Sequence, residues 1–253
     1  MTGFTRLALR CLRSLNSGDI MIKAILFDLD GTLLPMDLDV FLKAYFHGLV
    51  KKLAPLGYDE GLVDAIWKGT GAMIRNDGSM TNEARWWQAF CEIYGDKARE
   101  DEKHLDSFYA NEFEQVRAVC GYNPASRQVI DLCHEKGLRT ILATNPAFPA
   151  VATRARIRWA GLDFSDFELV TSYENSSYCK PNPDYYREIL EKQGLAPEEC
   201  IMVGNDAHED MIAKTLGMGV FLLTDCLINK TGADISAYPH GSFDELIEFI
   251  KKI

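Results

Sequence analysis

The sequence predicts an α/β protein, a doubly wound parallel sheet whose first strand is cut off from the others by an all-helical insert. Three observations predict it. Short, mainly apolar runs at 24–27, 139–143, 167–171, 200–203 and 220–223 have the length of strands, and most suit burial on both faces. From Pro124 onward these runs alternate with helical stretches, the order of a parallel sheet wrapped by helices. Between 36 and 118 no period-two pattern appears, and apolar residues recur at helical spacing instead.

Taken in order, residues 1–20 carry three arginines and one acid, Asp19. They have some character of a targeting leader, but Met21 precedes the first strand so closely that they read as an upstream extension. That extension is expected to be disordered and to carry no catalysis. Residues 38–53 place Leu38, Phe41, Leu42, Tyr45, Phe46, Leu49 and Leu53 on one broad face, and Pro55 with Gly57 ends the run. Helices are expected over 60–75, over 81–94 with Thr81 as cap, and over an acidic stretch at 98–118. Further helices are expected at 124–136, 147–160, 183–193, 208–216 and 243–252. The first four of these end at Gly137, Gly161, Gly194 and Gly217, as helix C-termini commonly do. The predicted organisation is the extension over 1–20, an α/β core over 21–35 and 119–253, and the helical insert over 36–118.

Composition narrows the function. The 253 residues carry 27 basic and 37 acidic groups, a net charge of −10, which disfavours a nucleic-acid binder needing a basic face. No apolar run approaches the roughly 18 residues of a membrane helix. The seven cysteines include no CxxC pair, and the five histidines form no HxxH or HExxH. Buried free thiols in a reducing, cytoplasmic setting are expected, rather than disulfides or a zinc centre.

Polar residues gather at the strand ends. The run Ile25–Phe27 is followed by Asp28-Leu-Asp30-Gly31-Thr32. Ligands of open α/β sheets bind beyond the carboxyl ends of the strands, where Asp28 would sit. A carboxylate there can attack an electrophile, and Asp30 can handle the leaving group's proton. The plainer alternative is an acidic turn, since Asp-Gly is common in turns. The strand at 139–143 ends in Thr144-Asn145, whose hydroxyl and backbone N–H groups suit an anion; alternatively Thr144 caps the helix after it. Lys180, stiffened by Pro181 and Pro183, can bring an ammonium to a phosphate, or can be an ordinary solvated lysine. Asp206 and Asp210, after Gly204-Asn205, are hard oxygen ligands suited to magnesium, or acids at a helix N-terminus.

Taken together, DxDGTL, a strand ending in Thr, Lys-Pro and GND-x3-D resemble the four motifs of the haloacid dehalogenase superfamily, over residues 21 to about 225. The resemblance implies a Rossmann-like core with a mobile cap, the insert at 36–118 matching the cap that follows the first motif in phosphatase, phosphonatase and dehalogenase branches. It implies Asp28 as nucleophile and Asp30 as general acid/base. Thr144, Asn145 and Lys180 would hold the phosphoryl group. Magnesium would bind Asp28, the backbone carbonyl of Asp30, and Asp206, with Asp210 an outer ligand or an orienter of Lys180. Asn205 departs from the pattern, which more often has Gly-Asp directly.

The function so implied is magnesium-dependent hydrolysis of a small phosphorylated metabolite, a phosphate monoester, through an aspartyl phosphate. The site would supply the positive charge that an acidic protein lacks. Dehalogenases of the family lack a second Asp in the first motif, so Asp30 argues against that chemistry. A sugar phosphomutase uses the same residues, and a catalytically inactive binding protein on this fold is the alternative from another class. Substrate choice is expected to depend on Trp67, Arg75, Asn76, Asp77, Trp86 and Trp87 of the insert, although core packing is the plainer role for each of the aromatics. Hinges are expected near Leu34-Pro35 and Cys120-Gly121-Tyr122.

Overall fold

Ile25 and Phe27 turn to one side of a sheet, Ala24 and Leu26 to the other, and both sides are closed. A computed structural model describes residues 21–58 and 61–253; the expectation for 1–20 lies outside the described residues. The strands are β1 (Ala24–Phe27), β2 (Arg139–Leu142), β3 (Leu169–Val170), β4 (Cys200–Gly204), β5 (Gly219–Leu223) and β6 (His240–Gly241). All pair in parallel, in the order β3-β2-β1-β4-β5-β6. This is a Rossmann-like winding, and the order reverses between β1 and β4, where such sheets leave a crevice for ligand. Phe27 is in register with Leu142 on one side and Val203 on the other, so the chain leaves all three strands at one edge.

The helices are α1 (Leu38–Leu53), α2 (Leu62–Ile74), α3 (Asn82–Tyr94), α4 (Lys97–Glu100), α5 (Glu102–Ala110), α6 (Ala125–Glu135), α7 (Ala150–Trp159), α8 (Pro183–Gln193) and α9 (Phe243–Lys251). Residues of α6, α7 and α9 cover the Phe27 face, and those of α8 cover the Leu26 face. The first five helices form the all-helical insert. Its apolar interior, including Phe41, Tyr45 and Leu49, is continuous with the core on the Phe27 face. Thr81 caps α3 as expected, its hydroxyl accepting from Ala84 N at 3.2 Å.

Four elements differ from expectation. The stretch 98–118 is three pieces, ending in a 3-10 helix over Glu112–Val119. Phe108 and Phe113, five residues apart, would point to divergent sides of one straight helix. The break at Asn111 lets both reach the ring of Tyr45, at 6.0 and 6.1 Å. The helix expected at 147 begins at Ala150, just after Pro149. The stretch 208–216 is a turn followed by a 3-10 helix over Met211–Leu216, because Asp206 Oδ1 draws in both His208 N and Glu209 N. Finally, β6 is a strand of two residues, His and Gly, with no apolar run to announce it.

The insert leaves and rejoins the core side by side. Met36 and Cys120 form an antiparallel bridge, and Gly121 N donates to Pro35 O at 2.7 Å. A second attachment is at Asn82, which is fully buried. Its backbone N–H donates to Ser176 O, and its side-chain amide reaches Tyr178 O at 3.1 Å, with longer contacts to Pro146 O and Cys179 Sγ. No helix among the described residues is long and apolar enough to cross a membrane. The six cysteines among them are free.

Candidate active site

Beyond β1 the backbone stays in the ladder for one more residue, Asp28 N donating to Val203 O at 2.9 Å, and then turns tightly. Gly31 takes φ +83°, and a side chain there would overlap the Asn205 amide. Only glycine suits both demands. The turn aims the Thr32 hydroxyl at Asp28 Oδ2 (3.2 Å) and Asn205 Oδ1 (3.0 Å), and Asn205 Nδ2 donates to Cys226 O at 2.7 Å. Asn205, the departure from the family pattern, is therefore a brace between the loops after β1 and β5.

Lys180 is 2% exposed, and its ammonium donates to Asp28 Oδ1 at 2.9 Å and to Asp210 Oδ1 at 2.6 Å. Burial works against the ammonium, but Asp210 and then Asp28 outweigh it and hold its pKa well above the usual lysine value. Asp210 comes this close because β4 ends in Gly204, where a Cβ would overlap its carboxylate. Asp210 Oδ2 accepts from Asp206 N at 2.9 Å, so Asp210 orients Lys180 and braces the β4 loop together.

Asp30 has a partner that sequence reading missed. Arg156, on α7 and fully buried, donates from Nη1 to Asp30 Oδ2, while its guanidinium lies over Phe148 at 4.6 Å. Burial raises the Asp30 carboxyl, Arg156 opposes that, and Asp28 adds to it. Asp30 Oδ1 is buried without a partner among the described residues. The signal for Arg156 lay in the sequence: it shares a helix face with Ala152 and Trp159, both buried.

Thr144 is buried and lines the same cavity, and its hydroxyl has no hydrogen bond among the described residues. It does not cap α7, whose first N–H, that of Ala150, is taken by the Glu174 carboxylate. Asn145 Nδ2 donates to Glu209 Oε2 at 3.0 Å, and its Oδ1 is buried and unpartnered. Glu209, also missed, has its carboxyl raised by burial against the pull of Lys180, with Asp206 and Asp28 adding to the rise.

These groups form one end of a cavity of about 400 Å³ that continues under the insert. Trp67, Trp86 and Trp87 line it. Three other expected specificity residues do not. Arg75 is exposed at the end of α2 with its guanidinium beside Gly71. Asn76 is buried and spent on Met80 O, Asn82 Oδ1 and the Arg85 guanidinium. Asp77 pairs with Arg85 and Ser79. Asn76 thus serves the turn into α3, and neither it nor Arg75 lines the cavity.

The donor chemistry around Asp28 suits magnesium. Five carboxylates (Asp28, Asp30, Asp206, Glu209 and Asp210) line the cavity's end, and the cations that touch any of them are Lys180 and Arg156. The excess is negative, the ligands are oxygens, and Asp30 Oδ1 lacks a partner. No group of three or more His, Cys, Asp or Glu side chains among the described residues is arranged to hold a metal alone. Two carboxylates, Asp28 and Asp206, would be joined by a backbone carbonyl.

A parallel sheet with the Asp28 loop at its reversal point, Lys180 between two aspartates and a helical insert after the first strand agree with the four-motif resemblance. The chain belongs to the haloacid dehalogenase-like hydrolases, whose family model matches residues 22–213. It is 26% identical over 239 residues to a phosphoglycolate phosphatase of Vibrio parahaemolyticus, covering 90% of this chain and 96% of that one. The fold resembles a crystal structure of a predicted phosphoglycolate phosphatase from Haemophilus somnus (TM-score 0.56, 18% identity, 91% and 99% of the two chains). It also resembles a 2-haloacid dehalogenase from Pseudomonas syringae pv. Tomato (TM-score 0.62, 18% identity, 92% and 99%). The chain is an enzyme of this family, and the relatives it matches include several phosphatases.

Proposed function

We propose that the protein hydrolyses a small phosphate monoester, with magnesium, through an aspartyl phosphate on Asp28. The observation that carries this reading is the Lys180 ammonium held between Asp28 and Asp210, at a cavity end that the Thr144 hydroxyl also lines. Attack by a carboxylate on a phosphate dianion brings like charges together, and a fixed ammonium offsets that repulsion. An Asp28 oxygen forms the bond to phosphorus as the ester P–O bond breaks. Protonated Asp30 gives the departing oxygen its proton. Ionised Asp30 then takes a proton from the water that attacks phosphorus, releasing phosphate and restoring Asp28. The Thr144 hydroxyl and the backbone N–H of Asn145 hold the phosphoryl oxygens during both steps.

Asp28, the carbonyl of Asp30, and Asp206 would hold magnesium, with Asp210 in the outer position. The ion supplies further charge neutralisation to the phosphate when bound. Closure of the 36–118 insert as a cap over the 21–35 and 119–253 core, with motion at the Pro35 and Gly121 connections, excludes water before attack. Free thiols, three of the six described ones buried, fit a reducing, cytoplasmic setting.

The test is a phosphatase assay over a panel of phosphate esters with magnesium and with EDTA. Asp28→Asn is expected to abolish turnover with the circular dichroism spectrum unchanged, and Asp206→Ala to raise the magnesium requirement sharply. Undiminished turnover in Asp28→Asn, or in EDTA, contradicts the reading.

A further inference from the structure

Resting on the phosphate-ester reading above, we infer that the organic group of the substrate is apolar and bears no second anion: an alkyl or aryl phosphate. The cavity has two unlike ends. The core supplies the acids, the phosphate-holding groups and some further wall such as Phe148 and Tyr173, and the insert supplies a mainly apolar wall that includes Leu42, Phe46, Ile66, Trp67, Trp86 and Phe90. Among the described insert residues that line it, the charged ones are Glu102 and Asp106, both acids. The Tyr45 and Tyr109 hydroxyls there bond each other at 2.8 Å.

None of the described insert cations is on the cavity lining. Arg85 pairs with Asp77, Lys52 with Glu112, and Arg99 with Glu102 while its guanidinium lies over Trp87. Lys230 and His208, both exposed, are the basic residues on the lining, and both come from core loops. Phosphoglycolate carries a carboxylate beside its phosphate. Under the insert that carboxylate would lose its water and meet Asp106 and Glu102, the latter already paired with Arg99, with no insert cation on the lining to pair with. An alkyl chain would meet apolar side chains. Trp67 and Ile74, which line the cavity yet are 47% and 49% exposed, are large apolar surfaces that such a chain would cover.

Three of the four tryptophans line the cavity, so intrinsic fluorescence reads its occupancy independently of turnover. The experiment compares ethyl, butyl, hexyl and phenyl phosphate with phosphoglycolate and glycerol 3-phosphate. It measures kcat/KM on the wild-type enzyme with magnesium, and affinity by fluorescence titration of Asp28→Asn. The expected kcat/KM rises about fourfold per methylene until the cavity is filled, with phosphoglycolate below ethyl phosphate. Trp67→Ala is expected to cost hexyl phosphate about tenfold more than ethyl phosphate. Ile74→Arg is expected to narrow the gap between phosphoglycolate and butyl phosphate. A flat dependence on chain length, or a preference for phosphoglycolate, overturns the inference while leaving the phosphatase reading intact. If no ester is hydrolysed, the phosphatase reading falls and the inference with it, whatever the order of binding.

Discussion

One ammonium, Lys180, joins the proposed nucleophile to the acid that braces the neighbouring loop, and a second cation, Arg156, grips the proposed proton carrier. The two pairs do different work. Lys180 faces the reacting centre, whereas Arg156 acts through Asp30 and is a positioning residue. Because burial raises the Asp30 carboxyl and Arg156 opposes it, removing Arg156 leaves Asp30 protonated to higher pH. Asp30 serves as a base only when ionised, so Arg156→Met should move the acidic limb of the pH–rate profile upward, and Arg156→Lys should restore part of the shift. A lower rate with an unmoved limb would mean that Arg156 merely supports the fold. Gly204→Ala sets a steric test. A methyl group there displaces the Asp210 carboxylate from Lys180, at a cost of about 1–3 kcal/mol in stability and with a large loss of turnover. Unchanged unfolding midpoint and rate would show that the loop yields freely.

At the scale of elements, the insert is fastened at its two connections and again through the N-terminus of α3. Asn82→Ala removes the amide that reaches three groups of the core loops and should destabilise the protein by about 1–3 kcal/mol. Hydrogen exchange should speed at the start of α3 and in residues 173–179 before it does in β1; unaltered exchange there would show that Asn82 is not a fastening. The buried cysteines of α6, the loop before α8 and β4 make a second prediction. Burial pushes the thiols of Cys133, Cys179 and Cys200 up to about 12, so the reactive thiolate is scarce. They should resist alkylation at pH 8 in native protein and react on unfolding, and rapid native labelling would contradict the packing described. Elements were readable where pattern and local chemistry agreed, as in α1 and the Thr81 cap. They were hidden where tertiary contact decided, as in the break that turns Phe108 and Phe113 onto one tyrosine, or in β6, which borrows its pairing from β5.

For the molecule as a whole, the sheet order brings Asp28, Thr144 and Asp206 to one edge, and Lys180 reaches the same edge from the loop before α8. That convergence was legible, since each residue follows a strand or precedes a helix whose place the α/β alternation dictates. The partners of Arg156, Asn82 and Asn76 were not, because they depend on which helix faces meet. The central claim is that Asp28 becomes phosphorylated during turnover. The most direct measurement quenches the enzyme in acid during hydrolysis of a phosphate ester, reduces it with borohydride, and sequences its peptides by mass spectrometry. A phosphorylated aspartate is reduced to homoserine, so homoserine is expected at position 28 and nowhere else, and absent without substrate. An unmodified Asp28 under turnover, with the label on another residue or on none, would contradict the account.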